Sequence, residues 1–264
     1  MIYVIGGRGF VGSAFVRLFE GLELEHRVVT RENFEALRGT SCDVLINANG
    51  NSNKLLASRE SLTDFDMSVR SVAETIDVFS AGAYLYLSSG DVYPDTSKPE
   101  TTREEAIIDP ARQSRYGLHK RLAEELVCGT QKRRLVIRMG GFVGPGLKKN
   151  AIFDMINNAP VWLSPASELQ FISTDTAARI VWGLVKASIS GEFVNLGACG
   201  LVNLGEVHRR LGSKSEFRPD APTVLYELSL DKLASLSGEP LPDANAEVTD
   251  FLVGVGRELK ATAA

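Results

Sequence analysis

Four apolar residues, Ile2-Tyr3-Val4-Ile5, run straight into a glycine loop, Gly6-Gly7-Arg8-Gly9-Phe10-Val11-Gly12, and then into a helical pattern. Few folds accommodate that order. G-x-x-G-x-x-G between a strand and a helix is a pattern that lets backbone approach a pyrophosphate. Gly6 allows the tight turn, Gly9 the close approach, and Gly12 the packing of helix on sheet. The helix start adds N–H groups and a partial positive charge. Gly6, Gly9 and Gly12, with Arg8, Phe10 and Val11 between them, form the candidate cradle.

The rest of the chain repeats this alternation. Arg27-Val28-Val29, Val44-Leu45-Ile46, Tyr84 to Leu87 and Leu135-Val136-Ile137 read as further strands. Helical spacing covers Phe10 to Phe19, Leu62 to Phe79 and Ser114 to Cys128. Strands that are apolar throughout, separated by helices, mean a parallel sheet covered on both faces. The expected fold is α/β: a Rossmann-type, doubly wound parallel sheet with a small C-terminal substrate-binding lobe.

After Gly146 the pattern loosens. Asn150 to Asn157 and Thr174 to Lys186 read as helices, and Leu169 to Ile172 as a strand. Phe193 to Leu196 fits the sixth strand of the main sheet. Short helices are expected near Leu204 to Leu211, Leu230 to Leu236 and Ala246 to Val255. Residues 1–144 then form the sheet domain, with 174–196 returning to it; 145–173 and 197–264 form the lobe.

Several partners are excluded. With a net charge of −4 and no basic patch, the chain has no electrostatic reason to bind nucleic acid. Its longest apolar runs, Met1–Ile5 and Ala83–Leu87, hold five residues, against roughly 18 for a membrane span. No basic segment precedes the first run, so no signal peptide is expected. Cys42, Cys128 and Cys199 are scattered and lack metal-ligand spacing. A reducing cytoplasm and no metal site are the expectation.

A sheet with this glycine loop takes a dinucleotide at its strand ends, with an acid after the second strand on the ribose 2′-hydroxyl. That place, 19 residues past Gly12, holds Thr30-Arg31-Glu32. Arg31 can pair with a 2′-phosphate, and Arg8 adds a second charge. NADP(H) is favoured over NAD(H). In the converse case Arg31 is solvated and Glu32 takes the acid's role.

Catalytic candidates come from two segments. In Tyr116-Gly117-Leu118-His119-Lys120, Tyr and Lys share one helical face. An ammonium beside a phenol favours the phenolate, so Lys120 is expected to lower the Tyr116 pKa and ease proton exchange. The fourth strand ends Ser88-Ser89-Gly90-Asp91-Val92-Tyr93, and hydroxyls at a strand's carboxyl end sit where such sheets bind ligands. Ser89 is expected to hold a substrate oxygen, and Ser88 to bond turn backbone. His119 points well away from Tyr116 and reads as non-catalytic. Asp175, with Ser173 and Thr174, reads as a helix cap, and Trp162 and Trp182 as packing.

With these residues the chain resembles the extended short-chain dehydrogenase/reductases, the NAD-dependent epimerase/dehydratase family. The resemblance spans the glycine loop, Asp43 to Ala48, Ser88 to Tyr93, the Tyr116/Lys120 pair, Arg138 to Gly146, and Phe171 to Asp175. It implies that Ser89, Tyr116 and Lys120 are catalytic, and that Lys120 also binds the nicotinamide ribose. Ala48 and Met139 fall at cofactor-lining positions. Asp91, Lys149, Asn150 and Gln170 fall where a nucleotide-linked sugar would bind. Members commonly act as 4-epimerases, 4,6-dehydratases or 4-keto reductases on such sugars, and often dimerise through two helices, here 62–79 and 114–128. Dehydratases usually have Asp-Glu after the hydroxyl residue; here Gly90-Asp91 follows, leaving one carboxylate. Asp66 stands where the family often has Asn. A 4-keto reductase using NADPH is therefore the expected activity. The alternatives are a 4-epimerase or dehydratase, or a non-catalytic dinucleotide sensor on the same fold.

Overall fold

The structure is a computed structural model that describes residues 1–262; the last two residues of the predicted lobe lie outside them. The apolar runs form a six-stranded, all-parallel sheet. Its strands are β1 (Ile2–Ile5), β2 (His26–Val29), β3 (Ser41–Asn47), β4 (Ser80–Ser89) and β5 (Arg134–Met139), with Glu192–Leu196 as the sixth. Their order is β2-β1-β3-β4-β5 and then Glu192–Leu196 at the far edge, where Phe193 to Leu196 was expected. The direction of winding reverses at β1, the place where such sheets open a ligand crevice.

Alternation along each strand sends side chains to opposite faces. Val4, Leu85, Leu87 and Ile137 pack with Phe15 and Phe19 of helix α1 (Gly12–Gly21). Trp182 joins them, edge-on to Phe19 with ring centroids 4.8 Å apart. Tyr3, Leu45, Tyr84, Tyr86 and Val136 pack on the other face against Val72, Ala123 and Val127. Each fully buried large side chain contributes about 1.5–3 kcal/mol.

The expected helix 62–79 is present as a continuous helix over 61–78, with a wider turn in its middle. A short α2 (Lys54–Arg59) precedes α3 (Ser61–Phe65), then a π-helical turn (Asp66–Arg70), then α4 (Ser71–Val78). The wider turn leaves Asp66 at the surface, 3.6 Å from Arg70, and buries Asp64 and Ser68. Helix α5 (Arg115–Thr130) follows β4, with Ser114 accepting from the Gly117 N–H.

Past β5 the elements shorten. β6 (Gly141–Val143) leads to α6 (Ala151–Ile156). The strand expected over Leu169 to Ile172 is two, β7 (Glu168–Leu169) and β8 (Phe171–Ser173), with Gln170 buried between them. α7 (Thr174–Lys186) then returns to the main sheet, ahead of its last strand, β9 (Glu192–Leu196). β10 (Val202–Asn203), α8 (Leu204–Leu211), β11 (Leu225–Tyr226), α9 (Asp231–Ser237) and α10 (Ala244–Thr262) complete the chain. β10-β7-β11 form one small sheet and β6-β8 another. The cap of α7 is Ser173, while Asp175 pairs with Arg17 of α1. Trp162 is 63% exposed and stacks on Arg218, so it is not a core residue. Among the described residues no helix is long and apolar enough to cross a membrane.

Candidate active site

β1 ends in the glycine loop. Gly6 has φ +76°, and a Cβ there would stand 2.8 Å from the Ala48 carbonyl oxygen. A Cβ at Gly12 would stand 2.2 Å from the Gly6 oxygen, and one at Gly9 would stand 3.0 Å from it. Only glycine fits such an approach of backbone to backbone. α1 starts at Gly12, two residues later than expected, with no side-chain cap and no acid in its first turn. Its positive end is left open to an anion. Phe10 and Val11 sit half-buried in this loop, and Ala48 holds β3 to β1 through its N–H on the Ile5 carbonyl at 2.9 Å. The cradle fits a dinucleotide pyrophosphate.

At the end of β2, Asn33 braces the turn by accepting from the Thr30 N–H and donating to the Val28 carbonyl. Arg31 is exposed there. Arg8 reaches across to Glu32 at 3.5 Å, both side chains largely in solvent. Two cations and one acid therefore share the mouth of the crevice.

The catalytic candidates lie at the end of β4. Ser89 is its last residue, in register with Met139 of β5. The Tyr-Gly pair at the start of α5 is what allows contact: a Cβ at Gly117 would stand 2.1 Å from the Asp91 carbonyl oxygen. This close packing sets Tyr116 beside Ser89, with Lys120 one helical turn on. Lys120 Nζ lies 5.9 Å from the Tyr116 ring centroid and 5.8 Å from that of Tyr86.

The electrostatics differ from the expectation. Burial pushes the Tyr116 phenol well above its usual range and the Asp91 charge pushes it further, against a lowering by the Ser89 hydroxyl. Burial also takes the Lys120 ammonium down to about 8, against the opposing charges of Asp64, Glu124 and Asp91. Both shifts run against the expected lowering of the Tyr116 phenol by Lys120.

Asp91 is tied on both oxygens. Oδ2 accepts from Ser89 Oγ at 3.0 Å, and Oδ1 from Lys54 Nζ at 2.6 Å. Lys54, which also stands over the Tyr226 ring, was missed by the sequence reading. Its one local signal is Asn53, the N-cap of α2. Lys149 donates to Ser52 Oγ at 2.8 Å, and its ammonium is pushed down by burial and by Lys54.

Two candidates are not presented to this group. Asn150 caps α6, accepting from the Phe153 N–H and donating to the Phe142 carbonyl. Gln170 is buried, and its Oε1 accepts from the Leu228 N–H at 3.2 Å. Ser88 does not bond turn backbone: it donates to Glu124 Oε1 at 2.6 Å. Glu124 in turn takes two bonds from Arg138, Nη2 to Oε2 at 2.8 Å and Nε to Oε1 at 3.1 Å. His119 donates from Nδ1 to Asp64 Oδ2 at 2.6 Å in a buried pair.

A parallel sheet, a glycine cradle and a Ser/Tyr/Lys cluster at the strand ends define a dinucleotide-dependent enzyme of the extended short-chain dehydrogenase/reductase type. The chain belongs to the NAD dependent epimerase/dehydratase family, whose model matches residues 2–197. No curated protein matches the sequence. Among solved structures, a UDP-galactose 4-epimerase is 23% identical with a TM-score of 0.79, covering 98% of this chain and 99% of that one. RMD from Pseudomonas aeruginosa, complexed with NADPH, is 18% identical with a TM-score of 0.80, covering 96% and 98%. A dTDP-4-dehydrorhamnose reductase from Clostridium acetobutylicum is 14% identical with a TM-score of 0.78, covering 97% and 99%. These likenesses show the shared fold.

Proposed function

We propose that this enzyme reduces the 4-keto group of a nucleotide-linked sugar, with NADPH as the preferred cofactor. The observation that carries the reading is the cluster at the end of β4: Ser89, with Tyr116 and Lys120 one turn apart on α5, and Asp91 as the one carboxylate bonded to Ser89. A protonated phenol is the group a ketone needs as it becomes an alcohol. The bound dinucleotide supplies the hydride. Ser89 holds the sugar oxygen, Tyr116 gives it a proton, and Lys120 anchors the nicotinamide ribose. Gly6, Gly9, Gly12, Phe10, Val11, Ala48 and Met139 line the cofactor. Arg31 and Arg8 meet its 2′-phosphate, which is the basis of the NADP(H) preference.

Asp91, held by both Lys54 and Ser89, supports reduction over dehydration, which needs an additional acid/base pair. The segments 145–173 and 197–264 serve as the substrate lobe. In it Lys149, together with Lys54 opposite, meets the diphosphate. The exposed apolar side chains Leu62, Phe65, Met67 and Leu122 on α3, the π-turn and α5 support a homodimer across that face. Three unpaired cysteines suit a reducing cytoplasm.

The test is NADPH oxidation with a panel of nucleotide-linked 4-keto sugars. One NADPH consumed per product supports reduction. Interconversion of 4-hydroxyl epimers without net consumption replaces it with a 4-epimerase. Tyr116→Phe is expected to cut turnover on the order of 100-fold or more while cofactor binding survives. Cofactor binding without turnover in either assay would make the chain a sensor.

A further inference from the structure

The charges of three carboxylates act on Lys120: Asp64 from α3, Glu124 from its own helix, and Asp91 from the turn after β4. The phenols of Tyr116 and Tyr86 also stand near it, and His119 precedes it on α5. Two of the carboxylates already have a strong cation. Glu124 is paired with Arg138 at 2.8 Å, and Asp91 with Lys54 at 2.6 Å. Asp64 is fully buried, and among the described residues no lysine or arginine pairs with it; its side chain meets His119, next to Lys120 on α5.

The Asp64 side chain is tightly held. Oδ1 accepts from Asn51 Nδ2 at 2.8 Å and from Ser68 Oγ at 3.2 Å, and Oδ2 from His119 Nδ1 at 2.6 Å. Three side-chain donors converge on this one carboxylate. The π-turn makes it possible, because it buries Ser68 below Asp64. Phe65, edge-on to the His119 ring at 5.5 Å, covers the pair. Lys120 borders the same space. The point where a Cβ of Gly50 would stand is 3.0 Å from Lys120 Nζ and 3.9 Å from Ser68 Oγ.

We propose that Asp64, seated by His119, is the counter-charge that keeps the Lys120 amine a cation at neutral pH. Asp64 is thus a positioning residue: it touches neither substrate nor cofactor and acts through Lys120. The pair was absent from the sequence reading, in which His119 is a bystander. The proposal rests on Lys120 being the catalytic amine, but its test needs no turnover, so the two readings fail in different measurements.

The test is the pH dependence of Lys120 carbamylation by cyanate in the full chain, followed by peptide mass spectrometry. Cyanate reacts with the neutral amine, so the midpoint reports Lys120 deprotonation. In the wild type it is expected near 8. In Asp64→Asn, which keeps the shape, it should fall by roughly one pH unit or more. His119→Gln keeps a donor on Asp64 and should leave the midpoint in place. A purely structural Asp64 gives the opposite sign: its loss would loosen the packing, hydrate Lys120 and raise the midpoint towards 10.5. An unchanged or raised midpoint in folded Asp64→Asn overturns the proposal. Should that variant not fold, the paired change Asp64→Leu with His119→Leu replaces both partners, which buried pairs tolerate better than the loss of one. The same downward shift supports the proposal there, and its absence overturns it.

Discussion

Lys54 Nζ stands 2.6 Å from Asp91 Oδ1, joining the first turn of α2 to the residue two places past Ser89. The contact offsets a negative charge that pushes the Tyr116 phenol up. In Lys54→Met that charge acts on Tyr116 without its counter-ion. The phenol becomes a weaker acid, and each further pKa unit is at most about tenfold in proton-transfer driving force. We expect kcat to fall several-fold, read apart from the rise in KM that losing a cation at the diphosphate brings. The Lys54 side chain is 62% exposed, so stability should change by no more than about 1 kcal/mol. Steady-state rates and urea denaturation of the same variant separate the two effects.

Gly12 and Gly183 give opposite expectations for one substitution. At Gly12 a Cβ would meet the Gly6 oxygen at 2.2 Å, so alanine must push β1 and α1 apart. That costs about 1–3 kcal/mol and spoils the cradle. Gly183, inside α7, has nothing within 4 Å of its Cβ position, and alanine there should stabilise by about 0.5–1 kcal/mol. Calorimetric titration with NADPH and NADH should show affinity lost in Gly12→Ala and kept in Gly183→Ala.

What the sequence made legible was local and periodic. Tyr84 to Leu87 can be read as a buried strand because its apolar run is continuous, and the fold buries every residue of it. Tyr116 and Lys120 stand out because one helical turn fixes their relation. Lys54, Asp64 and Arg138 do not, because each acquires its role from a partner brought in by the fold. Lys54 meets Asp91 37 residues away, and Asp64 meets His119 55 residues away. Asn150 and Gln170 are polar residues near the cleft that the fold spends on bracing loop backbone, whose buried N–H and C=O groups must be satisfied. Strands of two residues such as β7, β10 and β11 carry no period to read.

Glu124 is the keystone under the end of β4. It is fully buried and receives Ser88 and both arms of Arg138. Glu124→Gln keeps the shape but strands the Arg138 charge in the interior. Breaking a buried pair on one side costs about 3–5 kcal/mol. We expect a loss of that size in urea denaturation, far above the effect at the exposed Lys54.

Lys120 also gives stability a signed dependence on pH. Its folded pKa of about 8 lies below its ordinary 10.5. Below about 8 both folded and unfolded chains carry the proton, and Lys120 contributes no slope. Between about 8 and 10.5 the unfolded chain holds a proton that the folded chain has released, so this group makes stability rise with pH. The slope is at most about 1.4 kcal/mol per pH unit. Buried acids oppose it higher up. Cys42, held by burial at about 11 against its ordinary 9.0, keeps a proton that the unfolded thiol loses. Tyr84 and Tyr93, pushed up by burial to about 12, do the same above their ordinary 10.0. The N-terminal amine, raised above its ordinary 8.0 by the Asp43 hydrogen bond, opposes it already from pH 8, so the Lys120 slope is read as a difference over pH 8 to 9, below the thiol and phenol titrations. Urea unfolding of the wild type and of Lys120→Met across that window isolates the effect. Their difference should grow in favour of the wild type as pH rises, and a flat difference would mean that Lys120 is not desolvated in the folded chain.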